Sequence, residues 1–464
     1  MSQEHIKESS SKTCCENTNH SSKFNFVNKN IILDENLENE KDINITINGK
    51  QVKVPAGITV IQACEMFNVE IPRFCYHDKL KIAGNCRMCL VEIQPGPPKP
   101  QASCAMNVAE GMVVKTDTEM VKKAREGVME FLLANHPLDC PVCDQGGECD
   151  LQDQAFIYGN GKSRVDFERR VVKDKNMGPL IKTNMTRCIH CTRCVRFMED
   201  VAGTSEIGAF NRGNETEIST YLETAISSEM SGNIIDLCPV GALTSKPFAY
   251  KARSWELVKT YSIDTIDAVG SNIRIDSKGN EVLRILPKIN NEINEEWISD
   301  KTRFSYDGLF VQRLDKAYLK QYGKMQAVKF SECIDYIANQ FSLLKNPSKD
   351  FAILLGDAVD SYTSYLITKV AEKLNFKVAC VQDNAKINAS SRPNYLFNSK
   401  IANVDNADLF LIINSNPRKE APVINSRIRK AVINNKAKVF VLGDNLSEDT
   451  LDLNYKYTYL GNKK

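Results

Sequence analysis

The 464-residue sequence predicts a mixed protein of three consecutive parts: a small α+β domain, a cysteine-rich stretch and an α/β domain. Three observations predict it. A hairpin pattern followed by a helical stripe begins near residue 43. Three groups of cysteines fill the middle of the chain. Short apolar runs alternating with helical patterns fill its last third.

The bulk numbers bound the rest. Domains run about 100–200 residues, so the length fits two to four, each able to bury a core. Hydrophobic residues are 42% and charged residues 25%, ordinary values for a globular protein. The 60 basic and 58 acidic residues nearly cancel. That balance argues against a nucleic-acid or membrane-surface protein driven by bulk charge. Apolar runs such as Leu409–Ile413 are short, whereas a spanning helix needs about 20 residues.

Residues 1–42 read as a disordered tail, with seven Asn, six Ser and eight acidic residues. A transit peptide is Arg-rich and acid-poor, and a secretory signal has an apolar core; this stretch has neither character. Cys14 and Cys15 lie in it and are expected to be free thiols.

From residue 43 the elements follow in order. Ile45 and Ile47 alternate, Asn48-Gly49 turns the chain, and Val52 and Val54 alternate again, which predicts a β-hairpin. Apolar residues at 60, 63, 64 and 67 predict a helix with Cys64 in the core. The domain spans 43–118. A second helix runs from Met120 to Ala134, apolar at 120, 121, 124, 128, 131 and 132, and stops at His136-Pro137. Further on, Asn272–Ile275 and Val282–Leu286 read as strands around Lys278-Gly279. Phe351–Leu355, Leu409–Ile413 and Lys438–Leu442 read as short buried strands, with helices around Tyr365–Lys373 and Asn425–Asn434.

The sequence holds 16 cysteines, and eleven lie between Cys75 and Cys238. Secreted disulfide scaffolds are short; this chain is long, so closely spaced pairs point to metal or cluster ligation. The first group is Cys75, Cys86, Cys89 and Cys104. Its loop, including Ala83-Gly84-Asn85, resembles the wrapping of a 2Fe–2S cluster with one distant ligand, and four thiolates also fit zinc. The second is His136, Cys140, Cys143 and Cys149, suited to zinc or to a cubane with one His ligand. Gly146-Gly147 lets its loop fold tightly. The third is Cys188, Cys191 and Cys194 with a distant Cys238-Pro239. This is the bacterial ferredoxin spacing with its fourth cysteine displaced, and the most specific of the three. His190 lies inside the triple and is expected to support rather than ligate. Isolated Cys333 and Cys380 are expected to be core thiols.

Several stretches closely resemble the large iron–sulfur subunit of respiratory complex I. They include Ala83 to Glu92, His136 to Asp150, Asp236 to Leu243 and Asn294 to Phe304. The resemblance extends from residue 43 to the end. It implies a ferredoxin-like β-grasp domain over 43–118 holding one 2Fe–2S cluster. It implies 4Fe–4S modules over 119–158 and 159–252, one with a His and three Cys ligands and one with four Cys. It implies a molybdopterin-oxidoreductase-like domain over 253–464. That domain reads as truncated, since the chain ends before most members finish. Ser271 stands where catalytic relatives carry a cluster cysteine, so neither a fourth cluster nor a bound molybdopterin is expected.

The implied function is electron transfer within NADH:quinone oxidoreductase, from a flavin subunit through the clusters towards quinone. The implied partners are the flavin subunit and downstream iron–sulfur subunits, with no nucleic acid and no transmembrane segment of the chain's own. No nucleotide-binding Gly-rich loop is evident, so no complete active site and no catalytic residue is expected here. Alternatives are an electron-transfer subunit of an NAD-linked hydrogenase or formate dehydrogenase, or a zinc-structured scaffold. The expected location is peripheral on the matrix side of the mitochondrial inner membrane, or on the cytoplasmic side of a bacterial one.

Overall fold

A computed structural model describes residues 42–356, 359–380, 390–443 and 451–461, with the Glu223 side chain left aside. The tail expected over 1–42, with Cys14 and Cys15, lies outside these residues except for Asp42.

The chain opens with the expected hairpin, β1 (Ile43–Ile47) and β2 (Lys50–Val54). Asn48 and Gly49 both take positive φ, +46° and +81°, the primed turn that matches strand twist. Helix α1 (Val60–Met66) follows. The Gln62 side chain accepts from the Thr59 amide at 2.9 Å and so helps close its first turn. Strands β3 (Leu90–Gln94), β4 (Gln101–Ala102) and β5 (Val113–Lys115) complete a sheet in the order β2-β1-β5-β3-β4. Cys64 is fully buried in its core, beside Ile61 and Val114.

Helix α2 (Glu119–Ala134) ends at Asn135, just before His136-Pro137. Its buried face differs from the predicted stripe. Val121, Arg125 and Met129 are buried, while Phe131 is 84% exposed and Met120 is also exposed. A helix stripe drifts around the axis, and here a buried arginine replaces a hydrophobe. Arg125 donates to the Leu90 carbonyl at 3.0 Å and lies over the Tyr158 ring.

The cysteine-rich part uses short elements: α3 (Asp150–Tyr158), β6 (Ile181–Thr183), α4 (Arg193–Phe197), β7 (Ile207–Phe210), β8 (Glu217–Thr220), α5 (Asn233–Leu237) and β9 (Leu243–Ser245). β6 pairs with β9 and β7 with β8, all antiparallel. An antiparallel meander follows, β10 (Val258–Ile263), β11 (Asn272–Lys278) and β12 (Glu281–Pro287). β11 and β12 are the predicted pair; β10 was not foreseen, because all its residues are exposed and carry no burial alternation. Short α6 (Asp300–Phe304) packs on β12.

The last third contains a hairpin, β13 (Ala317–Gln321) and β14 (Lys324–Val328), then α7 (Phe330–Ser342) and α8 (Pro347–Asp350). Strand β15 (Ala352–Leu355), α9 (Ser361–Leu374) and β16 (Lys377–Cys380) form one parallel unit. Strand β17 (Leu409–Ile413), α10 (Pro417–Glu420), α11 (Pro422–Asn434), β18 (Lys438–Leu442) and β19 (Thr458–Tyr459) form another. The helices and strands are those expected, but two strands are not fully buried. Leu354, Leu409, Leu411 and Ile413 are each more than half exposed, so β15 and β17 bury one face only. An apolar run does not by itself distinguish burial of one face from burial of two. Cys380 is exposed and Cys333 partly so, which corrects their reading as core thiols. No helix among the described residues is long and apolar enough to cross a membrane.

Candidate iron–sulfur sites

One continuous core carries cysteines from all three groups. Cys75, Cys149, Cys191, Cys194 and Cys238 pack with Phe74, Met88, Phe197 and Trp297. Cys89 and Cys104 belong instead to the core of the first domain. The first group therefore sits on the seam between the two cores.

In that group the four sulfurs converge. Cys89 Sγ stands 3.4 Å from Cys104 Sγ. The Cys104 and Cys86 thiols donate to Cys75 and hold it far below the usual thiol range, with the Asn85 and Cys86 amides adding to the effect. Cys86 and Cys104 are pushed correspondingly high, first by sharing a proton with Cys75. Thiols that close on one another favour charge-bearing thiolates, the form that binds metal. The loop reaches this geometry through positive φ at Gly84 and Arg87.

The second group lines a single cavity of about 400 Å³. His136, Cys140, Cys143 and Cys149 all face it, with Gly241 and Arg187. His136 follows the end of α2, Cys149 caps α3, and Cys140 and Cys143 flank a tight turn. His136 Nδ1 is buried without a hydrogen-bond partner among the described residues, as a ring awaiting a ligand would be. Burial, then the nearby Arg187, push its pKa down to about 4, so the imidazole is neutral and able to ligate. Gly241 is needed for close approach: a Cβ there would collide with Cys143 Sγ. Gly147 has φ +84°, and a Cβ on it would run into the Trp255 ring. Arg253 clamps the loop from outside by donating to the Cys143 and Pro141 carbonyls.

The third group encloses a smaller void lined by Cys188, Cys191, Cys194 and Cys238 with Met185, Ile218 and Pro239. His190 and Thr192 take positive φ, which winds the triple around the void. The His190 amide donates to Cys188 Sγ at 3.4 Å. Its ring turns away to Arg170, 3.2 Å from Nη2, so His190 supports the loop rather than lining the void. Burial pushes all four thiols up, Cys188 to about 12. Four protonated thiols in an apolar pocket gain little; coordinated to iron they are deprotonated outright. Among the described residues no three His, Cys, Asp or Glu side chains close at single-ion spacing. A cubane keeps its ligands apart around its own volume, so the wider sets suit it.

The groups are stitched together. Cys149 Sγ donates to the Pro239 carbonyl at 3.7 Å, so the Cys238–Gly241 segment touches both the second and third groups. Asn85 Nδ2 donates to the His190 carbonyl at 3.0 Å, linking the first and third. Arg196 donates to the carbonyls of both Cys75 and Cys191. Arg187, Arg196 and Gly241 were not picked out from the sequence. The available signal was an arginine directly before the first cysteine of the triple and another two residues after its last.

The chain matches several families. Residues 40–119 match a 2Fe-2S iron-sulfur cluster binding domain, and 125–164 an NADH-ubiquinone oxidoreductase-G iron-sulfur binding region. Residues 178–244 match the ferredoxin-like domain of NADH-quinone oxidoreductase subunit 3. Residues 257–307 match an NDSU1/NuoG-like 4Fe-4S domain, and 313–464 a molybdopterin oxidoreductase. Residues 257–307 contain no Cys or His, so this chain has no thiolate or imidazole there to hold a cluster. Ser271, in that stretch, is fully buried.

A subunit of the NADH-quinone oxidoreductase of Rickettsia felis is 56% identical over 405 residues, 87% of this chain and 60% of that protein. The mitochondrial 78 kDa subunit of NADH-ubiquinone oxidoreductase of Neurospora crassa is 50% identical over 433 residues, 90% of this chain and 57% of its own length. The mitochondrial NADH dehydrogenase (ubiquinone) iron-sulfur protein 1 of Solanum tuberosum is 51% identical, covering 92% and 57%. A chain from the crystal structure of an NAD+-reducing NiFe-hydrogenase in the H2-reduced state is 26% identical. It covers 45% of this chain and 90% of its own, with a TM-score of 0.41, too slight a likeness to inform the fold. This chain thus spans about 60% of the length of the curated relatives it matches. It carries 2Fe-2S and 4Fe-4S binding domains followed by a molybdopterin-oxidoreductase domain, and it is a homologue of the 75 kDa iron–sulfur subunits of NADH-quinone and NADH-ubiquinone oxidoreductases.

Proposed function

We propose that this chain is an electron-carrying iron–sulfur subunit of an NADH:quinone oxidoreductase. Cys75, Cys86, Cys89 and Cys104 hold one 2Fe–2S cluster. His136, Cys140, Cys143 and Cys149 hold one 4Fe–4S cluster, and Cys188, Cys191, Cys194 and Cys238 a second. When bound, each cluster supplies a one-electron couple. The chain's own residues position, insulate and tune. Backbone amides and buried apolar side chains surround the sulfurs, which sets potential. No residue here is assigned a bond-making step.

The observation that carries this reading is the stitching of the three groups. The third group touches the first through Asn85 and Arg196, and the second through Cys149 and the Cys238–Gly241 segment. Electrons therefore pass in the spatial order first, third, second, or its reverse. Cys140 is exposed, which makes the second group the more open end. The partners are a flavin-bearing subunit that oxidises NADH and further iron–sulfur subunits leading to quinone. The complex works at an energy-transducing membrane, with this chain on the cytoplasmic or matrix side; the occurrence of relatives in bacteria and in mitochondria supports that location. Identity of 50% or more to such subunits favours this reading over a hydrogenase, a formate dehydrogenase or a zinc scaffold.

The test is magnetic coupling between reduced clusters. Pulsed EPR of the fully reduced protein should give stronger dipolar coupling for the first–third and third–second pairs than for the first–second pair. Strongest coupling between first and second would overturn the order.

A further inference from the structure

Five arginines in the described residues are buried: Arg125, Arg187, Arg196, Arg303 and Arg427. Three are paired with a carboxylate. Arg187 meets Asp139, Arg303 meets Asp236 and Arg427 meets Asp405. Arg125 and Arg196 make no carboxylate contact among the described residues. Both donate to carbonyls at or beside ligand cysteines of the first group, Arg125 to Leu90 and Arg196 to Cys75.

Arg196 is the more tightly held. Nη1 donates to the Lys81 carbonyl at 2.6 Å. Nη2 donates to the Cys75 carbonyl at 2.5 Å and the Cys191 carbonyl at 3.1 Å. Nε reaches Thr192 Oγ1 at 3.3 Å. The nearby Asp200 is already engaged by Lys81, at 2.9 Å. A buried guanidinium without a counter-ion is strongly disfavoured. The anionic groups its position faces are the thiolates of Cys75 and Cys191, one from each group. We propose that Arg196 is a positioning residue shared by the first and third clusters. Its fork fastens the two ligand backbones together, and its charge favours the reduced, more negative state of both.

The inference rests on the assignment of these groups as cluster sites. The two therefore need separate readouts. Iron content and EPR signals of the unaltered full-length protein test the assignment. Potentials of the variants test Arg196. R196K keeps the charge and loses the fork; R196Q loses the charge and keeps hydrogen-bond donors. In EPR-monitored redox titrations at matched iron content, R196Q should lower the reduced-to-oxidised ratio of the first and third clusters about tenfold at a fixed potential. For a one-electron couple that is about 59 mV. R196K should titrate close to the unaltered protein, and the second cluster should not move in either variant. Loss of both signals in R196Q with retention in R196K would also support the proposal. Equal behaviour of the two variants would overturn it, whether both are unshifted, both shifted alike or both without clusters. A shift in only one of the two clusters would overturn the shared role.

Discussion

At the scale of single residues, the sites divide into groups readable along the chain and groups that only folding brings together. The twelve proposed ligands belong to the first kind, because a short loop around a cluster leaves its spacing in the sequence. Cys191→Ser is expected to remove one 4Fe–4S signal and leave the 2Fe–2S signal, read by EPR after dithionite reduction; persistence of every signal would remove the triple from the ligand set. Gly241 belongs to the second kind. Nothing in the sequence ties it to Cys143, yet a side chain on it would displace that sulfur. Gly241→Ala should therefore lower iron content by about four per chain, since one cubane is lost. The 2Fe–2S signal should survive. Arg196 was hidden for the same reason: its partners Lys81 and Cys75 lie far away in sequence.

At the scale of elements, periodicity located α1, α2, β11 and β12 well and misjudged burial. Helix α2 shows why. Its apolar residues mark two edges of a face whose centre is Arg125, and a charged residue never scores as core. Arg125→Met leaves the Leu90 carbonyl without its buried donor and removes the contact with Tyr158. It should cost about 1–3 kcal/mol in urea denaturation. Phe131→Ser, on the exposed edge of the same helix, should change stability by less than about 0.5 kcal/mol. Equal effects would restore the stripe first read from the sequence. In β17 the alternation was masked by apolar residues on both faces, of which only Phe410 and Ile412 turn inward.

At the scale of the whole chain, the organisation was legible and its joints were not. Ion pairs between distant segments hold those joints. Glu295 joins Lys79 of the first domain at 3.4 Å and Lys430 of α11 at 3.1 Å. Burial alone would raise its pKa, but Lys79, Lys430 and Arg427 together hold it below the usual glutamate value. A lowered folded pKa means the clasp is present at neutral pH and is lost only as pH falls through that lowered value. Glu295→Gln at pH 7 should thus speed proteolytic separation of the last third from the clusters, while iron content stays unchanged. An unaltered cleavage pattern would show that the clasp contributes nothing. The central claim is that twelve residues hold three clusters in series. Its most direct test is anaerobic iron, sulfide and zinc analysis of the purified full-length chain with EPR after dithionite reduction. About ten irons per chain, with one 2Fe–2S and two 4Fe–4S signals, is the expected result. Zinc in place of iron, with no EPR signal, would contradict it.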